Sequence, residues 1–155
     1  MTNSKLNNRP LCVLFADDDI DDRIFFENAL KEIPIRSRLI TVNNGEQLME
    51  YLKYHEADLP DVLFLDLSMP RKTGFECLVE IKENEKLKNL PVIMFTTSFT
   101  RGIELEYNLI NTLSKIGAQD YLRKPGDYEE YKLVIHQALT RMMEKSNYAE
   151  NENNL

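Results

Sequence analysis

Five short runs of strand-forming residues, separated by stretches with helical spacing, constrain this chain more than any other feature. The runs are Leu11 to Ala16, Leu39 to Val42, Val62 to Leu67, Val92 to Thr96 and Tyr121 to Arg123. The first, third and fourth are almost continuously apolar. A strand with one wet face would alternate apolar with polar residues, so these runs require a sheet covered on both sides, the usual setting of parallel strands. Between them, Phe26, Ala29, Leu30 and Ile33 recur at three- and four-residue intervals before Pro34 ends the pattern. Gly45 to His55 presents Leu48, Met49, Leu52 and His55 on one face, and Gly74 to Leu87 presents Phe75, Leu78, Val79 and Lys82 opposite a charged side. Asp127 to Lys145 opens on a capping aspartate and carries Tyr131, Val134, Ile135, Ala138, Leu139 and Met142. With a fourth helix before Tyr121, strand and helix alternate five times. Right-handed crossovers then predict a doubly wound α/β domain, a five-stranded parallel sheet with helices on both faces.

A chain of 155 residues without an internal repeat or linker makes one such domain. Residues 1–9 are expected to be a flexible leader, 10–145 the domain, and 146–155, rich in Asn and Glu without apolar periodicity, a frayed tail. The longest apolar runs are about six residues, against roughly 20 for a membrane span, and Met1 to Pro10 carries no signal region. A soluble cytoplasmic protein with no membrane contact is expected. The net charge of -7 argues against direct DNA or RNA binding, which needs clustered Lys and Arg. Cys12 and Cys77 each sit singly in apolar segments, which reads as two reduced, buried thiols.

In an open parallel sheet, ligands bind beyond the carboxyl ends of the strands. The first strand runs into Asp17-Asp18-Asp19, the third reaches Asp66, the fourth ends in Thr96-Thr97, and the fifth leads into Lys124-Pro125. Carboxylates gathered in one crevice suppress each other's ionisation unless a cation compensates. Mg²⁺, or Mn²⁺ in its place, suits an all-oxygen donor set, whereas softer metals would want His or Cys, and neither His55 nor His136 lies at a strand end. A carboxylate beside such an ion can also attack phosphorus, with a lysine and a hydroxyl stabilising charge on the moving phosphoryl oxygens. Asp66, Lys124 and Thr96 supply that set. Asp19, Asp21 and Asp22 are adequately explained by capping and the helix dipole.

The stretches Val13 to Asp19, Leu63 to Pro70 followed by Gly74, Val92 to Thr97, and Asp120 to Pro125 resemble, in this order, the receiver domain of two-component response regulators. The resemblance spans about Leu11 to Met143 and implies a flavodoxin-like sheet of strand order 2-1-3-4-5. It implies that Asp66 accepts the phosphoryl group, that Asp17, Asp18 and the backbone carbonyl of Ser68 join Asp66 in binding the metal, and that Thr96 and Lys124 engage phosphoryl oxygens. Tyr121 takes the place of the switch aromatic that moves with Thr96. Lys124-Pro125 falls where receivers commonly have a cis peptide. Expected partners are a sensor histidine kinase or a histidine phosphotransfer protein, as for the small regulators of phytochrome-type kinases. A homodimer would form through the helix 4, strand 5, helix 5 face.

Three features depart from the family pattern. The stretch from Thr96 to Tyr121 is longer by roughly half a dozen residues, with the surplus placed around Phe99 to Lys115. Gly126 stands where a bulky apolar residue is common, and the last helix outruns the minimal domain. Two other functions share parts of this pattern. A phosphatase of the haloacid dehalogenase type also uses an aspartyl-phosphate, but needs a second aspartate where this chain has Ser68. Flavin phosphate binding needs a hydroxyl- and glycine-rich first loop, and Asp17-Asp18-Asp19 would repel the phosphate.

Overall fold

The computed structural model describes residues 9–97 and 102–153. Five strands, β1 (Leu11–Ala16), β2 (Ser37–Val42), β3 (Val62–Leu65), β4 (Val92–Thr96) and β5 (Asp120–Arg123), alternate with helices α1 (Ile20–Glu32), α2 (Gly45–Tyr54), α3 (Gly74–Glu83), α4 (Ile103–Ile116) and α5 (Tyr128–Asn153). All pairings are parallel and the strand order is β2-β1-β3-β4-β5, as expected. Leu residues at 39 and 67 marked the expected ends of the second and third runs. In the structure β2 starts two residues earlier and β3 stops at Leu65.

The continuous apolar runs are explained by two cores, one on each face of the sheet. Val13, Phe15, Val62, Phe64, Ile93 and Phe95 pack against α1 and α5 through Phe26, Leu30, Tyr131, Ile135 and Leu139. Their neighbours Leu14, Ala16, Leu63, Leu65, Val92 and Met94 pack against Leu48 and Leu52 of α2, Leu78 and Ile81 of α3, and Leu113 of α4. Successive strand residues point to opposite faces, so a strand between two helical layers must be apolar at every position. Phe15, Phe26, Phe64 and Phe95 form an aromatic cluster in which Phe15 stacks on Phe26 with centroids 4.1 Å apart, while Phe64 meets Phe26 and Phe95 edge to face.

Helix ends follow their local chemistry. Asp19 caps α1, its side chain accepting the Asp21 N–H at 2.8 Å, and Ile33 is held extended by the following Pro34. Asn44 and Thr73 cap α2 and α3, and Asp127 accepts the Glu130 N–H at 3.0 Å at the start of α5.

The sequence expectation needs correction in several places. The buried face of α3 is Gly74, Cys77, Leu78 and Ile81, while Phe75 is exposed and Val79 only half-buried. The helix is turned because Gly74 lies directly against the Asp66–Leu67 backbone, which fixes the rotation of every residue after it. α5 runs on to Asn153 through the segment expected to fray, where no Gly or Pro breaks the helix. Cys77 is buried, but Cys12 is half-buried, with Arg38 donating to its sulfur at 3.4 Å. No peptide bond among the described residues is cis, so Lys124-Pro125 is trans, the lower-energy isomer even before proline. Residues 1–8 of the expected leader and Phe99 of the expected surplus lie outside the described residues. Arg9 pairs with Asp61 at 2.9 Å, and Asp61 in turn accepts the Cys12 N–H, tying the start of β1 to the segment entering β3. No described helix is long and apolar enough to cross a membrane.

Candidate functional site

Parallel register brings the carboxyl ends of β1, β3, β4 and β5 to one edge. Ala16 pairs with Leu65 and Leu65 with Met94, while Thr96 pairs with Arg123. The first residues beyond β1 and β3, Asp17 and Asp66, are tied to neighbouring strands by Asp17 N–H to Val42 O and Asp66 N–H to Ala16 O, each at 3.1 Å. Lys124 N–H donates to Thr96 O at 2.8 Å. Main-chain bonds thus carry each side chain to the same crevice.

There, the Thr96 hydroxyl, fully buried, donates to Asp66 Oδ1 at 2.8 Å, and the Ser68 N–H reaches the same oxygen at 3.4 Å. Lys124 Nζ faces Asp66 Oδ2 at 3.6 Å and Asp17 Oδ2 at 2.5 Å, and its side chain is 4% exposed. The other oxygen of Asp17 accepts the Asp19 N–H at 2.8 Å. Asp17, Asp18 and Asp66 each offer an oxygen within 4.8 Å of the others, with Asp18 open to solvent. Tyr121 stands apart from this group. It pairs in register with Met94 and is half-buried beside the α2–α3–α4 core.

The structure adds Asp22, for which the sequence alone suggests only capping and the helix dipole. From the first turn of α1 it accepts a hydrogen bond from Lys124 Nζ at 3.0 Å. The signal was present as an aspartate run longer than a cap requires, but the partner lies 102 residues away.

Electrostatics follow from this crowding. Burial pushes the Asp17 carboxyl up to about 6, with the Lys124 ammonium pulling the other way. Asp66 is raised for the same reason, against the pull of Lys124 and the Thr96 hydroxyl. Burial disfavours the charged form of Lys124, yet Asp66, Asp17 and Asp22 together hold its pKa above the usual lysine value. Three carboxylates thus share one ammonium, with the exposed Asp18 a fourth beside Asp17 and Asp66, a surplus of negative charge with only hard oxygen donors. That donor set fits a small divalent cation that keeps part of its water shell.

A prediction with a definite sign follows. A folded-state pKa of about 6 for Asp17, above its ordinary 3.8, means that ionising it disfavours folding. The stability present below pH 3.8 is lost as pH rises toward 6, by about 3 kcal/mol in all. A divalent ion held by these carboxylates would offset that loss only where they are ionised. Adding saturating Mg²⁺ is therefore expected to raise the melting temperature by about 5–10 °C at pH 7.5 and by far less at pH 4.5. Calorimetry at the two pH values checks this, and an equal gain at both would refute it.

Residues 13–136 match the family model of the response regulator receiver domain. Response regulator Rcp1 of Synechocystis sp. is 35% identical over 118 residues, covering 70% of this chain and 80% of its own. Two-component response regulator ARR17 of Arabidopsis thaliana is 33% identical over 135 residues, covering 79% and 82%. Among solved structures, the phosphorylated cyanobacterial phytochrome response regulator RcpA aligns with a TM-score of 0.73 at 25% identity, covering 84% of this chain and 91% of its own. The Mn²⁺-bound form of Rcp1 aligns with a TM-score of 0.70 at 27% identity, covering 83% and 91%. The chain therefore belongs to the response regulator receiver domain family, the phosphoacceptor module of two-component signalling.

Proposed function

We propose that Asp66 is the phosphoryl acceptor of this receiver. The observation that carries the reading is the surroundings of its carboxylate, with the Thr96 hydroxyl on one oxygen, the Lys124 ammonium facing the other, and two further carboxylates beside it. An Asp66 oxygen attacks phosphorus while the bond from phosphorus to the donor's leaving atom breaks and its electron pair departs with the donor. Lys124 and Thr96 already point at the two Asp66 oxygens, so they can follow the negative oxygens of the incoming group without large rearrangement.

Asp17, Asp18 and Asp66, with the Ser68 carbonyl, would hold Mg²⁺ or Mn²⁺. When bound, such an ion supplies positive charge to the transferring phosphoryl oxygens and offsets the carboxylate repulsion. The Mn²⁺-bound form in which the relative Rcp1 has been solved supports this choice. The donor is a sensor histidine kinase or a histidine phosphotransfer protein, the partners with which receivers pair. Movement of Thr96 toward the phosphoryl group would be read by Tyr121 and by the face of α4, β5 and α5, where Arg123 pairs with Glu106, and the same face would support a homodimer. The phosphatase reading is not favoured, because Ser68 stands where its acid/base aspartate is needed.

The test is to incubate the protein with acetyl phosphate and Mg²⁺ and map the adduct by tandem mass spectrometry. A hydroxylamine-labile phosphoryl group on the Asp66 peptide, lost in EDTA, is expected. An adduct elsewhere, or none, refutes the assignment. Steady release of phosphate from unrelated monoesters would favour the phosphatase.

A further inference from the structure

Lys124 is held by more than the residues of the phosphoryl site. Its ammonium lies 2.5 Å from Asp17 and 3.0 Å from Asp22, both within hydrogen-bond reach, but 3.6 Å from Asp66, beyond it. The Phe95 ring closes off another side, with Nζ 5.8 Å from its centroid. Asp22 is itself well placed to hold on, because it sits on the first turn of a helix whose start is capped by Asp19, and its backbone carbonyl accepts the Tyr131 hydroxyl at 3.5 Å.

We propose that Asp22 is a positioning residue for Lys124, restraining the ammonium away from Asp66 and so setting how tightly the site takes a phosphoryl group. This rests on the reading of Asp66 as acceptor. A phosphoryl group adds negative charge on the Asp66 side. Lys124 must then move toward it and give up part of its bond to Asp22. The Asp22 charge also repels the arriving group through the partly buried crevice. Both effects act in the same direction, weakening the phosphorylated state relative to the resting one. Neutralising Asp22 relieves both, and a partly exposed ion pair of this kind is worth a factor of about three to five in binding.

The probe is beryllofluoride, a non-covalent stand-in for a phosphoryl group on a carboxylate, titrated at saturating Mg²⁺ and followed by fluorine NMR. Asp22→Asn is expected to lower the half-saturating concentration about three- to fivefold and to raise the initial rate of labelling by acetyl phosphate. Asp22→Ser, which removes the charge with a different helix-start side chain, should shift the same way. Asp21→Asn makes the same change in net charge one residue away, on an exposed side chain outside the Lys124 cage, and should leave the concentration unchanged. An unchanged or raised value in both Asp22 variants overturns the proposal, as does an equal shift in Asp21→Asn, which would reduce the effect to net charge. If the wild type itself binds no beryllofluoride and takes no phosphoryl group, the acceptor reading falls and this proposal with it. Normal wild-type behaviour with unresponsive Asp22 variants overturns only the role of Asp22.

Discussion

Asp66→Asn is expected to abolish the hydroxylamine-labile adduct while leaving the domain folded. The substitution keeps the shape of the side chain, so the amide oxygen can still accept the Thr96 hydroxyl, and Lys124 retains Asp17 and Asp22. It removes the anionic oxygen that would attack phosphorus, for which an amide is no substitute. Labelling should fall below detection, at least about 10²-fold under the wild type. Stability should move the opposite way in the absence of metal. Burial has raised the Asp66 pKa, so its ionisation disfavours folding, and a neutral side chain should unfold no more readily above pH 7 than the wild type in EDTA. With Mg²⁺ the ranking should narrow or reverse, because the variant has lost one of three clustered carboxylates. Intact-mass spectrometry and paired melts measure both effects. Wild-type labelling of Asp66→Asn would remove the basis of the proposed function.

Gly74→Ala is expected to be strongly destabilising. A Cβ built there would lie 2.0 Å from the Asp66 carbonyl oxygen, 2.8 Å from its carbon and 2.9 Å from the Leu67 Cα. All three are backbone atoms, so no side chain can yield. The Gly74 N–H also donates to Leu67 O at 2.9 Å, and forcing the strands of chain apart strains that bond as well. A loss of about 3 kcal/mol is expected, seen as a melting temperature lower by about 6–12 °C. Because the clash is with Asp66 itself, a shift of about 1 Å in the proposed acceptor would slow labelling by roughly 10²-fold. Gly126→Ala is the matched control. Nothing lies within 4 Å of its Cβ, so a change within about 0.5 kcal/mol is expected. Near-wild-type melting and labelling in Gly74→Ala would show that the approach of α3 to the end of β3 is not tight.

The strand ends were legible because they depend on local order along the chain. Apolar runs mark strands, and whatever follows a parallel strand lands at the carboxyl edge, so Asp17, Asp66, Thr96 and Lys124 could be assigned to one crevice before any contact was known. Side-chain orientation was less legible. The spacing of α3 admits both Phe75–Leu78–Val79–Lys82 and Gly74–Cys77–Leu78–Ile81 as inward faces, and only the seating of Gly74 on the Asp66 backbone selects the second. The length of α5 is not legible from periodicity either: its last residues carry no apolar repeat, yet no Gly or Pro breaks the helix before Asn153.

By itself, the sequence determined the five-fold alternation of strand and helix, the burial of both sheet faces, and the gathering of an aspartate, a threonine and a lysine around Asp66. These follow from periodicity and chain order, which are local properties. Only the tertiary structure decided how the one ammonium is shared, with Asp17 and Asp22 nearer to it than Asp66. That balance depends on side chains more than a hundred residues apart meeting at distances that differ by about an ångström, and electrostatic energy in a crevice hidden from water turns on such differences.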